Sequence, residues 1–392
     1  MIDSSSYLLN PTIGTNNINT TNVNNISYFW KFLLLIGIYY LLPSLQFVFF
    51  QSSDSNVQCY YNFKCKHIVG NIPSFNNFIS NILYIFYGLL FLIIISFYGK
   101  RDEGISSLGI NRNNDLFRSL GLTLILEGVC SALYHICPSK LNFQFDTTFM
   151  FVGTTLMFIT MFSKRHPPPS PIKTYSFLSL VVLINILPLS GITDGIDMWF
   201  WILTLLFISY IMIFGSIYIY YGKEYDIDIK SFILLKNSIC NIHQKDIPKI
   251  FLIVAINAFT IGMLIYAFIE KPYFTTWMLA IFIINMSIYF NYYIINKLKN
   301  KEYISPIFWI FLVLDIFILS MAIYFFMDSV TDITLSIEDS NKLNKPCVLL
   351  NYFDYHDIWH ILSATGLFIF MNLVYFLDSN LDDKVYEELA VF

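Results

Sequence analysis

Charge is what this sequence has least of. Only 13% of its 392 residues are Asp, Glu, Lys or Arg, about half the share of a soluble domain. That scarcity excludes a water-exposed globule. The net charge is −4, so no basic excess points to nucleic acid. The N-terminus lacks the basic-then-apolar order of a secretory signal, and no cleaved leader is expected. No apolar run alternates as a barrel strand does, which leaves a helical class. What is present is hydrophobic surface, at 56% of residues and a mean hydropathy of +0.60. The aromatic share of 18% is ordinary for Phe-rich membrane helices and gives no stacking platform for bases. The fold class is therefore all-α, a polytopic membrane helical bundle.

A helix needs about 20 apolar residues to span a bilayer. The chain offers ten such runs, roughly 29–50, 75–98, 115–136, 144–163, 172–191, 197–221, 247–269, 274–295, 305–327 and 357–377. Fourteen loop cations, Lys100, Arg101, Lys164, Arg165 and Lys297 among them, fall on one side, and six, including Lys64 and Lys345, on the other. The richer side is cytoplasmic by the positive-inside rule. Both termini are then cytoplasmic. Residues 1–28 are Asn/Thr/Ser-rich and read as a disordered tail. Residues 29–379 form the transmembrane domain and 380–392 a short C-terminal tail.

Ionisable residues are rare inside such runs, and those present are candidates for function. The stretch 127–146 reads EGVCSALYHICPSKLNFQFD. It sets Glu127, Ser131 and His135 four residues apart, on one helix face. Asp146 opens the next run. Far along the chain, His356 and His360 stand one turn apart at the mouth of the last run. The charge-derived topology brings His135, Asp146, His356 and His360 to the same membrane depth.

Three imidazoles with an open position suit a catalytic zinc site. His135, His356 and His360 are the expected Zn2+ ligands. Zinc lowers the pKa of water to about 7, and Asp146 is placed to act as general base and then acid. Ser131 would orient the water or a substrate carbonyl. Glu127, deeper still, is expected to be structural or to support the site. Asp357 could orient a ligand imidazole, while Asp354 is as readily a solvated loop charge. Asp315, alone in the ninth run, has no evident partner. His67, His166 and His243 are expected to lie solvated in loops. The chemistry such a site permits is hydrolysis of a lipid amide or ester. Packing is the bland alternative for Ser131.

Six cysteines are present. Cys59, Cys65, Cys137 and Cys347 fall in or beside loops on the non-cytoplasmic side, where two disulfides are expected among three possible pairings. Free buried thiols are the other reading. Cys130 sits within a helix and Cys240 in a loop on the opposite side.

The motifs EGVCSALYHICP, NFQFDTTFMF, KRHP and FDYHDIWHILSAT resemble the systemic-RNA-interference-defective (SID) transmembrane family, also called cholesterol uptake proteins. CYYNFKC at 59–65, SFNNFISN at 74–81, WFW at 199–201 and the terminal VF extend the resemblance to most of the chain. It implies membership of the broader CREST membrane hydrolase superfamily, with a seven-helix zinc core and Ser131, His135, Asp146, His356 and His360 as its site. It further implies uptake of double-stranded RNA across membranes, cholesterol binding and, in some members, lipid hydrolysis. Plasma or endolysosomal membrane and a homodimer follow from the same resemblance. Family members carry a long N-terminal β-sandwich ectodomain and an extra first helix. Only 28 residues precede the first run here, so the platform that grips RNA is expected to be missing. Tyr355 stands where the family usually has an acidic residue.

Overall fold

A computed structural model describes residues 28–53, 59–102, 114–189, 198–222, 246–328, 330–381, 384 and 389–392. The expected tail at 1–28, His243 and Cys240 lie almost wholly or wholly outside them. Twelve α-helices are found among the described residues: α1 (Phe29–Ser53), α2 (Phe75–Ser80), α3 (Ile82–Asp102), α4 (Asn114–Tyr134), α5 (Phe143–Ser163), α6 (Pro171–Leu189), α7 (Met198–Tyr221), α8 (Ile247–Glu270), α9 (Phe274–Lys299), α10 (Pro306–Met327), α11 (Ile337–Lys342) and α12 (Tyr355–Phe376). No strand occurs among them, only two isolated bridges, Val69–Ile72 and Leu349–Phe353. Ten segments are long and apolar enough to cross a membrane, α2 and α3 together forming one. Backbone groups in hydrocarbon must be satisfied internally, which selects helices.

Local signals set the helix ends. Ser305 caps α10 by accepting from the Ile307 amide, with Pro306 in the first turn where a missing N–H costs nothing. Asp354 and Asp357 form a reciprocal capping box at the start of α12. Lys271, at φ 48°, turns the chain sharply from α8 into α9.

Helices α4 and α5 are the most enclosed. One core unites α1, α3, α4, α5, α9 and α12. A second joins α6, α7, α8 and α9 around Phe151 of α5. The α3–α4 pair is the most extensive packing in the bundle, and glycine permits it. A Cβ on Gly88 would lie 2.7 Å from the Gly121 carbonyl oxygen, and one on Gly128 would lie 2.9 Å from Tyr84 Cβ. Small residues let membrane helices approach this closely.

The end of the bundle formed by the C-termini of α5, α9 and α12 is fastened by charge. Arg165 binds Glu302 through both guanidinium nitrogens, at 3.0 and 2.6 Å. Asp378 accepts from Lys164 at 3.0 Å, Lys297 at 2.9 Å, Arg165 at 3.2 Å and the Tyr293 hydroxyl at 2.8 Å. Arg165 also donates to the Ala390 carbonyl and lies 4.5 Å from the Phe392 ring. All five charged residues are buried. Sequence alone treats Lys164, Arg165 and Lys297 as loop charges, whereas the fold uses them as an interior ion cluster.

His166 corrects another expectation. It is buried, not solvated, and stacks on Phe162 at 4.2 Å. Burial, with Lys249 nearby, holds its imidazole down at about 4. His67 is half-buried and stacks on Tyr352 at 4.5 Å.

Candidate metal centre

The opposite end of the bundle gathers the C-terminus of α4 and the N-termini of α5 and α12. Helical spacing on α12 sets His356 and His360 on one face, with ring centroids 4.5 Å apart. His135 immediately follows α4, and its amide still bonds back to the Ser131 carbonyl at 3.1 Å. Its ring lies 5.0 Å from that of His356 and 5.1 Å from that of His360. One nitrogen from each of the three histidines lies within 4.8 Å of the others.

These residues fit a metal. His135 Nε2 and His360 Nε2 face each other at 3.0 Å. Two nitrogens about 2.0–2.1 Å from one tetrahedral ion would stand roughly 3.3 Å apart, close to that value. His356 Nε2 is buried with no hydrogen-bond partner among the described residues. Burial and the neighbouring His356 push the His135 imidazole well below its usual range, so it is neutral and carries a lone pair for a ligand.

Asp146 sits beside this cluster, buried in the first turn of α5. The Ser131 hydroxyl donates to its Oδ1. His356 is within electrostatic reach of the same carboxylate. Glu127 is buried one turn below Ser131, within electrostatic reach of Asp146, and its Oε2 has no partner among the described residues. The five residues singled out by spacing are thus brought together. Asp315 is not among them. It is buried in α10 against α12 near Gly366, with Oδ1 unpartnered among the described residues.

Asp354 and Asp357 depart from expectation. Asp357 bonds no imidazole among the described residues. Its carboxylate accepts from Asn76 Nδ2 and Asn77 Nδ2, each at 2.8 Å, and from the Asp354 amide at 2.9 Å. Asp354 is fully buried and accepts from Asn62 Nδ2 at 3.0 Å and from the Asp357 amide at 3.0 Å. Asn62, Asn76 and Asn77 hold the capping box of α12, a network that sequence reading missed. The signal available was the pair of asparagine-bearing stretches CYYNFKC and SFNNFISN.

The loop 59–65 clamps the site from above. Cys59 pairs with Cys137 and Cys65 with Cys347, which settles the three possible pairings. Tyr61 donates to the Ile136 carbonyl at 2.6 Å, and the Tyr60 amide to Pro138 at 2.8 Å. Asn62 Nδ2 reaches the Lys345 carbonyl at 2.9 Å, and the Phe63 amide reaches Asn344 at 2.9 Å. Cys130 is free and buried.

Comparison with known sequences agrees with these motifs. The profile of a family described as "dsRNA-gated channel SID-1" matches residues 11–392. The human protein named SID1 transmembrane family member 1 is 33% identical over 390 residues, covering 93% of this chain and 46% of that protein. Its mouse counterpart gives the same figures. Cholesterol uptake protein 1 of Caenorhabditis elegans is 28% identical over 388 residues, covering 92% of this chain and 50% of that protein. The chain spans about half the length of these curated relatives. On the match to nearly all of its length, the chain belongs to the SID-1 family of multi-pass membrane proteins.

Proposed function

We propose that this chain is the membrane core of a SID-type uptake protein, acting in movement of double-stranded RNA across a membrane and binding cholesterol. Zinc on His135, His356 and His360 would brace α4 against α12. The convergence of three imidazoles, one just past α4 and two on α12, carries the metal part of this reading. The family description and the worm relative's name support RNA and sterol as cargo. A plasma or endolysosomal membrane, cytoplasmic termini and a homodimer belong to the same proposal, as does a CREST-like seven-helix core.

A second reading rests on its own observation, the Ser131–Asp146 bond beside the histidines. There the centre is a hydrolase for membrane-lipid amides or esters, such as ceramides or phospholipids. Bound zinc would supply Lewis acidity and water with a pKa of about 7. Asp146 accepts the proton of the attacking water and returns it to the leaving group. The Ser131 hydroxyl holds Asp146 in position, and the buried surroundings exclude bulk water.

Metal analysis of the detergent-purified chain comes first, wild type beside His356→Ala/His360→Ala. About one zinc per chain is expected, lost in the double variant. A wild type without zinc overturns the metal. Uptake of labelled double-stranded RNA that is unchanged in cells lacking the protein overturns the transport reading. Asp146→Ala that keeps zinc but loses lipid turnover supports the hydrolase, and unchanged turnover refutes it.

A further inference from the structure

A second set of metal-type donors, sharing no residue with the three-histidine centre, lies in the loops that lead into α2 and α12. Cys65 Sγ, Cys347 Sγ and one ring nitrogen of His67 all lie within 4.8 Å of one another. The two sulfurs are joined as a disulfide. His67 Nε2 stands 3.6 Å from Cys347 Sγ. A nitrogen about 2.0–2.1 Å and a sulfur about 2.3 Å from one tetrahedral ion stand roughly 3.6 Å apart. The imidazole is therefore already at ligand spacing, and the sulfur–sulfur bond is what keeps a metal out.

The donors are held by bonds that do not depend on the disulfide. The His67 amide donates to Asn76 Oδ1 at 3.1 Å, and its ring stacks on Tyr352 at 4.5 Å. The Cys65 amide donates to the Asn62 carbonyl at 3.0 Å, and its own carbonyl accepts from Asn76 Nδ2 at 3.2 Å. Next to Cys347, the Val348 amide donates to the Phe353 carbonyl at 2.8 Å. Cys59–Cys137 tethers the same loop independently. Reduction of Cys65–Cys347 thus frees two sulfurs while their backbones stay in place. A cleft of about 330 Å³, lined by all three donors, gives access to them. Cys347 and His67 are half-buried there, whereas Cys137 of the other disulfide is fully buried. Lys64 and Lys66 line the cleft as well, and cations beside a cysteine favour the thiolate that a metal needs.

We propose that Cys65–Cys347 is a reducible disulfide and that its opening creates a Cys65–His67–Cys347 site for a thiophilic cation, Zn2+ or Cu+. Thiolates select such ions over Mg2+ or Ca2+. The reductant is a dithiol. One of its thiolates attacks Cys347, the less buried cysteine, and Cys65 leaves as a thiolate. The second thiolate of the reductant attacks the mixed disulfide, closes the reductant's own disulfide and releases Cys347. Two electrons pass from dithiol to protein, and the dithiol's two protons go to water as the cation takes both thiolates. The open cleft leaves a position for water or a further ligand.

The test uses the full chain in detergent, dithiothreitol raised stepwise and then removed without air, and Co2+ as the probe metal. Alkylation and mass spectrometry should show Cys65 and Cys347 free at a lower dithiothreitol concentration than Cys59 and Cys137. Co2+ should then give a thiolate-to-cobalt charge-transfer band, about one ion per chain, that Zn2+ abolishes. The unreduced chain should give none. The three-histidine centre has no sulfur and is silent in this band, so its occupancy or failure leaves the readout untouched. His67→Ala should weaken cobalt by more than the roughly tenfold that loss of a mere supporting partner costs. Cys347→Ser should remove the band, and if that variant fails to fold, the wild type with and without dithiothreitol decides. The proposal is overturned by a Cys65–Cys347 bond that resists the dithiol until the chain unfolds, by free Cys65 and Cys347 with no band, or by a band equally strong in His67→Ala.

Discussion

Replacing Asp357 with alanine tests whether the metal centre depends on the asparagine network. The carboxylate is fully buried, accepts from Asn76, Asn77 and the Asp354 amide, and lies within electrostatic reach of the Asp354 carboxylate. Each such hydrogen bond contributes about 0.5–1.5 kcal/mol, and each donor stranded in the interior costs about 1–3 kcal/mol. These terms overlap, since the same three bonds are counted from both sides, so the expected loss is about 3–5 kcal/mol. Asp357→Asn keeps the volume but turns an amide toward two amide donors, and should cost nearly as much as alanine. The damage lies at the first turn of α12, so His356 and His360 lose their fixed approach to His135. Zinc affinity should fall about tenfold, because two of the three imidazoles stand on the loosened turn. Trp359 packs 4.5 Å from His360 and 5.2 Å from His356, so its fluorescence reports both unfolding and the site. Thermal melts in detergent should drop by about 4–6 °C for a chain of this length, and competition with a chromophoric chelator gives the zinc affinity. A variant that melts with the wild type and holds zinc equally tightly refutes the reasoning.

Other perturbations act elsewhere in the bundle. Arg165→Met leaves Glu302 short of its bidentate partner and should cost about 3–5 kcal/mol in melts; Arg165→Lys should recover less than half, because the paired geometry is lost. Gly88→Val drives a side chain into the Gly121 carbonyl and Ile125. It should lower stability by about 1–3 kcal/mol and, by displacing α4, reduce zinc content; normal values of both would count against the close packing. The His166 imidazole, held at about 4 by burial, stays neutral in the fold while an unfolded histidine protonates near 6.5. Its contribution is therefore complete above pH 6.5 or so and is lost as pH falls toward about 4, by about 3 kcal/mol at most. His166→Asn should flatten that part of the stability–pH curve, and an unchanged slope would show that the ring is not what titrates.

Much of the fold was legible because bilayer thickness fixes segment length. The ten apolar runs agree with the helices to within a few residues, and the four-residue spacing on α4 and α12 already aligned the site. Pairings between distant polar groups were not legible. Asn76 and Asn77 are separated from Asp357 by 281 and 280 residues, and nothing local distinguishes a buried amide from a loop amide. The cysteines fell on one side but could not be paired, because any of the three pairings satisfies the same topology. His166 looked solvated beside Lys164, Arg165 and a proline run. The aromatic Phe162 one turn earlier was the available sign of a stacked, buried ring. Arg165 and Lys297 were read as orienting charges because hydropathy counts residues singly, whereas their burial depends on Glu302 and Asp378 arriving from other helices.

The two ends of α12 show why the histidines can meet with small tolerance. At one end Asp354 and Asp357 tie its first turn to the loop 59–65 and to α2. At the other, Asp378 just beyond the helix is held by Lys164, Lys297 and Arg165. The helix that supplies two imidazoles is thus fixed along its length, and a site gains precision from rigid supports. The third imidazole is fixed by the same loop. Cys59 bonds Cys137, two residues past His135, while Cys65 bonds Cys347 in the segment that leads into α12. One short loop therefore locks both halves of the centre covalently, from outside the hydrocarbon. The apolar bundle needs no such clamp to stay helical, because its backbone bonds are internal to each segment. What the clamp adds is register between α4 and α12, the quantity on which a three-histidine site depends.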